Sequence, residues 1–178
     1  PRPDPGRDAG EVETVTAGVS PLQRGVLGGL AVFRLAIWGW MAVVLWVSRI
    51  ELRRPAEAWA ICALTLIVSL ALGAAARWRP RLALHPGVVV GEVAVGTGLL
   101  VADGWVYGGE HRVSLGSAWP LTGVMAAGVV TGPVGGVVAG VVVGLGRYGG
   151  TLLDDLGSPG LLSLLSTTFL YALAGGAA

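Results

Sequence analysis

Residues 56–76 have the sequence AEAWAICALTLIVSLALGAAA, and this stretch decides the class of the fold. It carries one charged side chain, Glu57, near its start, and it directly follows Pro55. Proline is tolerated in the first turn of an α-helix, where its missing N–H would have had no partner. Roughly 20 apolar residues at 1.5 Å each cross the hydrocarbon of a bilayer. The stretch therefore predicts a transmembrane helix.

The same pattern, a proline followed by an apolar run, recurs along the chain. It indicates six helix starts, at Pro21, Pro55, Pro86, Pro120, Pro133 and Pro159. The predicted helices span about residues 26–47, 56–76, 87–106, 118–131, 133–146 and 159–178. Aromatic side chains fall mostly near the predicted helix ends, where amphipathic rings prefer the lipid headgroup level. The sequence thus predicts an all-α integral membrane bundle of six transmembrane helices.

The fourth and fifth helices leave an alternative open. The apolar stretch from Ala118 to Leu145 is interrupted by Thr131-Gly132-Pro133. If the interruption is a hairpin turn, both helices are short, and either the bilayer thins or neighbouring helices cover the pair. If it is only a kink, the bundle has five helices. We favour the hairpin because Gly132-Pro133 has the composition of a turn.

The overall composition agrees with a membrane protein. Hydrophobic residues make up 53% of the 178 residues, charged residues only 13%, and the mean hydropathy is +0.72. A soluble domain normally carries about 25% charged residues. The net charge of +1 argues against a nucleic-acid partner.

Arginines in the short loops predict the orientation, since cytoplasmic loops are enriched in basic residues. The densest unopposed cluster is Arg77, Arg79 and Arg81, between the second and third predicted helices. Placing it in the cytoplasm puts both termini inside as well, if there are six helices. Residues 1–20 are polar and predict a flexible cytoplasmic tail. Residues 49–54 argue the other way, because they carry three arginines on the predicted outer side.

Small residues recur at intervals of four in the glycine-rich region. The glycines that we expect to line a helix-packing face are Gly132, Gly136, Gly140 and Gly144, with Gly128 one step earlier. Glycines at this spacing let two helix backbones approach closely within a membrane. The structural interpretation is tight packing, and the functional one is a sliding interface that transmits a signal.

Two charged residues fall inside predicted membrane helices, Arg34 and Glu92. Intramembrane charges are costly and are functional candidates by default. Arg34 could pair with Glu92, or its long side chain could extend to the membrane surface. Both a structural and a sensing role are open for the two residues.

Catalytic chemistry is not indicated by any motif in the sequence. Residues 144–149, GLGRYG, match the pattern G-x-G-x-x-G, but a dinucleotide site needs a strand before it and a helix after it. His85 and His111 lack metal-ligand spacing, and Asp154-Asp155 is better explained as a solvated pair. We therefore predict no catalytic residue, no metal site and no cofactor in this chain.

The chain resembles a known family of signalling proteins. Residues 21–25, PLQRG, and 31–34, AVFR, are similar to the start of the first helix in the membrane sensor region of actinobacterial MacS-type sensor histidine kinases. The arginine cluster at 77–81 followed by Glu92 is similar too, as are the small residues at 172–176, ALAGG.

The resemblance implies that residues 21–178 are the transmembrane sensor domain of a two-component histidine kinase. Such a parent protein lies in the plasma membrane, forms a homodimer, uses ATP and passes phosphate to a cytoplasmic response regulator. The kinase domains would follow downstream, outside this chain. An alternative from another class is a small six-helix transporter or substrate-capture subunit, which would need a polar pocket at mid-membrane.

Overall fold

The computed structural model describes residues 21–50, 52–106, 118–153 and 161–178. The described residues form helices, namely α1 (Pro21–Val47), α2 (Pro55–Trp78), α3 (Pro80–Ala83), α4 (Pro86–Val106), α5 (Pro120–Leu153) and α6 (Leu161–Ala177). The predicted tail at residues 1–20 lies outside the described residues.

The fold is an all-α bundle of membrane type, as the sequence predicts. By length and composition, four stretches of the described residues are candidate membrane spans, namely Gln23–Val47, Pro55–Trp78, Pro86–Asp103 and Pro120–Gly150. The last of these contains a non-helical residue, Gly132, that divides it into two arms. A fifth apolar helix, Leu162–Ala177, is shorter. Many large apolar side chains face outward, among them Trp40, Val47 and Phe169. A bilayer covers such a surface at no cost, because lipid tails are as apolar as the side chains.

The helix boundaries follow the prolines more closely than the apolar runs. The helices α1, α2, α4 and α5 each begin at a proline. As a result α1 starts at Pro21 rather than near Val26, and residues 23–26 are helical although they are exposed. The short helix α3 was not predicted from the sequence. Pro80 cannot continue α2, since it has no N–H to donate, and it begins a new turn instead.

A hairpin turn divides α5 at Gly132, as favoured in the sequence analysis. Gly132 has φ 81° and ψ 176°, a backbone conformation that only glycine adopts readily. The chain reverses there, because a Cβ placed on Gly136 would lie 2.9 Å from the Cα of Gly128. In a continuous helix these two residues would be about 12 Å apart. We call the two arms α5a (residues 120–131) and α5b (residues 133–153).

The two arms differ in length, which corrects the expectation of two short helices. The arm α5b continues to Leu153, so at 1.5 Å per residue it reaches about 30 Å and can cross a bilayer. The G-x-G-x-x-G stretch at 144–149 is therefore helical throughout, although the predicted helix ends at residue 146. Gly146 and Gly150 remain in the helix because they pack closely against Thr97 and Val101 of α4.

The arm α5a is a half-helix that starts inside the bundle. A Cβ on Gly96, at the middle of α4, would lie 3.0 Å from the Cα of Pro120. The first turn of α5a is thus about 15 Å from the end of α4 at Val106, given the rise of 1.5 Å per residue. Trp119, just before this turn, is fully buried against Ile37 and Leu99. Neighbouring helices, rather than lipid, surround the start of this arm.

The helices fall into two groups. The antiparallel helices α1 and α2 form one group, with a core around Met41, Leu45 and Cys62. The helices α4, α5 and α6 form the other, with a core around Val124, Val143 and Tyr171. Backbone N–H groups of Arg53 and Arg54 donate to the Val106 carbonyl and tie the groups together at one end.

Glycines set the distance between α5 and α6. A Cβ on Gly140 would lie 2.5 Å from the backbone nitrogen of Ala172, and one on Gly144 would lie 2.8 Å from the Cα of Thr168. Gly128 and Gly136 would both meet the carbonyl oxygen of Gly175. The two backbones are therefore in direct contact, which only glycine permits at these positions.

We predict that Gly140→Ala destabilises the bundle by about 1–3 kcal/mol, because α6 must move away to admit the added methyl group. The matched control is Gly149→Ala on the same arm, where a Cβ meets nothing within 4 Å. The control should leave stability unchanged or raise it by up to about 1 kcal/mol. Thermal unfolding in detergent measures both, and equal effects would contradict the packing described.

Candidate functional site

The candidate site is an ion pair between the two helix groups. The Arg34 Nε donates to Glu92 Oε1 at 2.7 Å, and its Nη2 donates to Glu92 Oε2 at 2.6 Å. The two residues are 4% and 3% exposed. This parallel, two-point geometry is the strongest arrangement open to an arginine and a carboxylate. Of the two alternatives for Arg34, the structure shows the pair and not extension to the membrane surface.

The carboxylate also lies at the start of the half-helix. The Thr122 hydroxyl, in the first turn of α5a, is 2.9 Å from Glu92 Oε1 and 2.8 Å from the carbonyl oxygen of Trp119. A Cβ on Gly123 would lie 3.2 Å from Glu92 Cγ, so the backbone of α5a lies directly against the glutamate side chain. The positive end of a helix dipole favours a negative charge at this place. Glu92 is therefore stabilised by Arg34, by Thr122 and by the start of α5a.

A second polar contact between the groups lies close by. The Trp119 indole Nε1 donates to Ser69 Oγ of α2 at 3.4 Å, and both side chains are buried. The interface between the groups therefore contains Arg34 and Ser69 on one side, and Glu92, Thr122 and Trp119 on the other. The sequence analysis did not single out Thr122, Trp119 or Ser69. Hydroxyl and indole groups are common in membrane helices, so only the fold distinguishes these three.

Little space remains around the ion pair. The cavity beside it, between Leu30, Leu72 and Val130, has a volume of about 10 Å³. This is near the minimum that one water molecule requires. A small-molecule site normally offers several hundred Å³. In this conformation the pair joins helices, and the cavity beside it is too small for a small-molecule ligand.

A second charged cluster lies in the group of α4, α5 and α6. Tyr171 of α6 is hydrogen-bonded to Arg147 of α5b, and Asp103 of α4 is close enough to interact with it electrostatically. Tyr171 and Asp103 are buried. Asp103 was missed in the sequence analysis, although a carboxylate within an apolar helix is a signal that could have found it.

Among the predicted packing glycines, Gly136, Gly140 and Gly144 contact α6, whereas Gly132 does not. A Cβ on Gly132 would meet nothing within 4 Å. Its role is the turn between the two arms, because its positive φ reverses the chain. Listing Gly132 as a packing residue therefore needs correction.

The histidines and the remaining carboxylates do not form a site within the described residues. The exposed His85 accepts a hydrogen bond from the Gly87 N–H at the start of α4. In the described ranges, no three His, Cys, Asp or Glu side chains are grouped as a metal would require. His111 and Asp154-Asp155 lie outside the described residues.

No family model, curated protein or solved structure matches this chain.

We predict that loss of either member of the pair destabilises the bundle by about 3–5 kcal/mol, because it leaves a buried charge uncompensated. Arg34→Met and Glu92→Met test this, and the double variant should recover most of the loss. The control is Glu57→Met, since Glu57 forms an exposed pair with Arg54 at 3.9 Å. Such surface pairs contribute at most about 1 kcal/mol. Additive losses in the double variant, measured by unfolding in detergent, would contradict the coupling.

Proposed function

We propose that this chain is the membrane-embedded input domain of a two-component sensor histidine kinase. The observation that carries the proposal is the ion pair Arg34–Glu92, which joins two helix groups where there is no room for a substrate. A buried ion pair of this kind is costly to separate but gives a defined relative position to the helices that it joins. A stimulus in the membrane would act by changing that relative position.

The resemblance at residues 21–34 and 172–176 supports the same proposal. It implies an actinobacterial parent in the plasma membrane, with both termini in the cytoplasm, that works as a homodimer. The parent would autophosphorylate with ATP and transfer phosphate to a response regulator. Helix α6 would then connect this domain to the kinase region.

The packing of α6 supports a mechanism based on two arrangements of the bundle. The hydroxyl of Thr168 is buried beside Gly144 without a hydrogen-bond partner among the described residues. A buried hydroxyl without a partner costs about 1–3 kcal/mol. A shift of α6 along the glycines of α5b could relieve this cost. Relief of this cost would favour the second arrangement that a two-state element requires.

A transporter or substrate-capture subunit remains the second candidate function, and one observation favours it. Secondary transporters use half-helices whose positive ends face a binding site near the midplane. The arm α5a has this arrangement, with its first turn at Glu92. Here, however, the carboxylate of the chain itself occupies that position, and the adjacent cavity is only about 10 Å³.

The gene sequence after codon 178 separates the two functions. We predict that it encodes a histidine-containing dimerisation helix followed by an ATP-binding domain. A stop codon there would reject the kinase and favour the transporter.

In the full-length protein we predict opposite effects for two substitutions in the α5b–α6 interface. Gly140→Leu forces α6 away from α5b, whereas Thr168→Val removes the buried hydroxyl and stabilises the observed packing. Autophosphorylation in lipid nanodiscs should therefore move in opposite directions, by several-fold each. Gly149→Leu is the matched control and should leave the rate unchanged, since its position is open. Unchanged rates in both test variants would contradict transmission through this interface.

A further inference from the structure

The end of the bundle that carries the arginine cluster contains a cleft between α1 and α2. Its outer part has a volume of about 570 Å³ and is lined by Arg24, Arg77, Arg79, Arg81 and Trp78. Among the described residues, no carboxylate forms a salt bridge with Arg24, Arg77 or Arg79. The outer part of the cleft is therefore a strongly positive pocket that suits an anion.

The cleft continues between the two helices toward the membrane interior. Its inner part has a volume of about 240 Å³, and it shares Arg24 and Arg77 with the outer pocket. Its walls are the small residues Gly28, Ala31 and Gly73. A Cβ on Gly28 would meet nothing within 4 Å, and one on Gly73 would meet only Ala31, at 3.7 Å. The small residues thus leave an apolar groove open on the membrane-facing side of the pair.

The position of Trp78 indicates the depth of the outer pocket in the membrane. Its side chain is 78% exposed at the end of α2, next to the arginines. Tryptophan prefers the headgroup region of a bilayer. The arginines are therefore at the level of lipid phosphates, while Gly28 and Ala31, further along α1, are at the level of acyl chains.

We infer that this cleft binds one anionic phospholipid, with the phosphate at the arginines and an acyl chain in the groove. The two parts of the cleft match the two parts of such a lipid in charge and in polarity. Arginine binds phosphate through several N–H donors at once, and basic pockets between membrane helices suit anionic headgroups. If the arginines served only to set the orientation of the chain in the membrane, their charges would suffice and no groove would be needed. The inference does not depend on the proposed signalling function.

Native mass spectrometry of the full chain in detergent tests the inference. Phosphatidylglycerol should bind at least tenfold more tightly than phosphatidylcholine with the same acyl chains. The variant Arg24→Gln, Arg77→Gln should lower the affinity for phosphatidylglycerol about 30-fold, since each basic residue near anionic lipid contributes about fivefold. The matched control, Arg49→Gln, Arg53→Gln, removes the same charge at the other end of the bundle and should change affinity less than threefold.

A second variant tests the groove apart from the charges. Gly28→Leu fills the groove without a clash in the fold, and it should weaken phosphatidylglycerol binding about tenfold or more. Inorganic phosphate at millimolar concentration should not displace the lipid.

Four results would overturn the inference. These are equal affinity for the two lipids, equal effects of the two arginine variants, no effect of Gly28→Leu, and displacement by phosphate, which would indicate an ion site instead. The acidic residues before α1 are the other potential occupant. If Asp4→Asn, Asp8→Asn, Glu11→Gln, Glu13→Gln raises lipid affinity tenfold, that segment competes with the lipid for the cleft, which supports the inference of a lipid site.

Discussion

The ion pair between Arg34 and Glu92 is the interaction on which the arrangement of the two helix groups depends. Neither charge is tolerable alone in a dry, apolar interior, because desolvation of an ion costs several kcal/mol. Each residue therefore restricts where the helix of the other can lie. The apolar contacts around the pair cannot impose this restriction, since lipid can replace an apolar neighbour at little cost.

The half-helix α5a explains how a carboxylate is accommodated at this depth. A helix that starts inside the bundle must satisfy the N–H groups of its first turn, which are costly in a membrane when unpaired. Pro120 has no N–H, and those of Leu121 and Thr122 donate to the carbonyl oxygens of Ala118 and Trp119. Glu92 lies beside the first turn of α5a, where its Oε1 accepts a hydrogen bond from the Thr122 hydroxyl. The helix start thus supplies a hydroxyl and the positive end of a helix dipole to the buried negative charge. Gly123 lies directly against this glutamate, since a Cβ there would come within 3.2 Å of Glu92 Cγ.

The two helix groups differ in what holds them together. The α5–α6 contact depends on glycines that bring the backbones together, so it is sensitive to any added atom. The contact between α1 and α2 is looser at the arginine end, where Gly28 and Gly73 leave a groove. A single bundle therefore combines a tightly packed helix pair, α5 and α6, with a pair that leaves a groove open, α1 and α2. Glycines produce both the close packing and the groove. Where another helix backbone lies opposite, as at Gly140, the missing side chain allows close packing, and where none does, as at Gly28, it leaves a groove.

The sequence by itself determined the helical membrane class and the helix starts at Pro21, Pro55, Pro86 and Pro120, and it favoured the reversal at Gly132 over a kink. These follow from local chemistry, namely apolar length, the missing N–H of proline and the positive φ of glycine. The predicted start at Pro159 lies outside the described residues. Only the tertiary structure decided that α5a starts inside the bundle, that α5b extends to Leu153, and that Thr122 and Trp119 complete the site. Those features depend on which helix lies opposite, and apolar helices of similar composition do not encode their neighbours in their own pattern. Charge was the exception, since Arg34 and Glu92 were recognisable as candidates before their contact was seen.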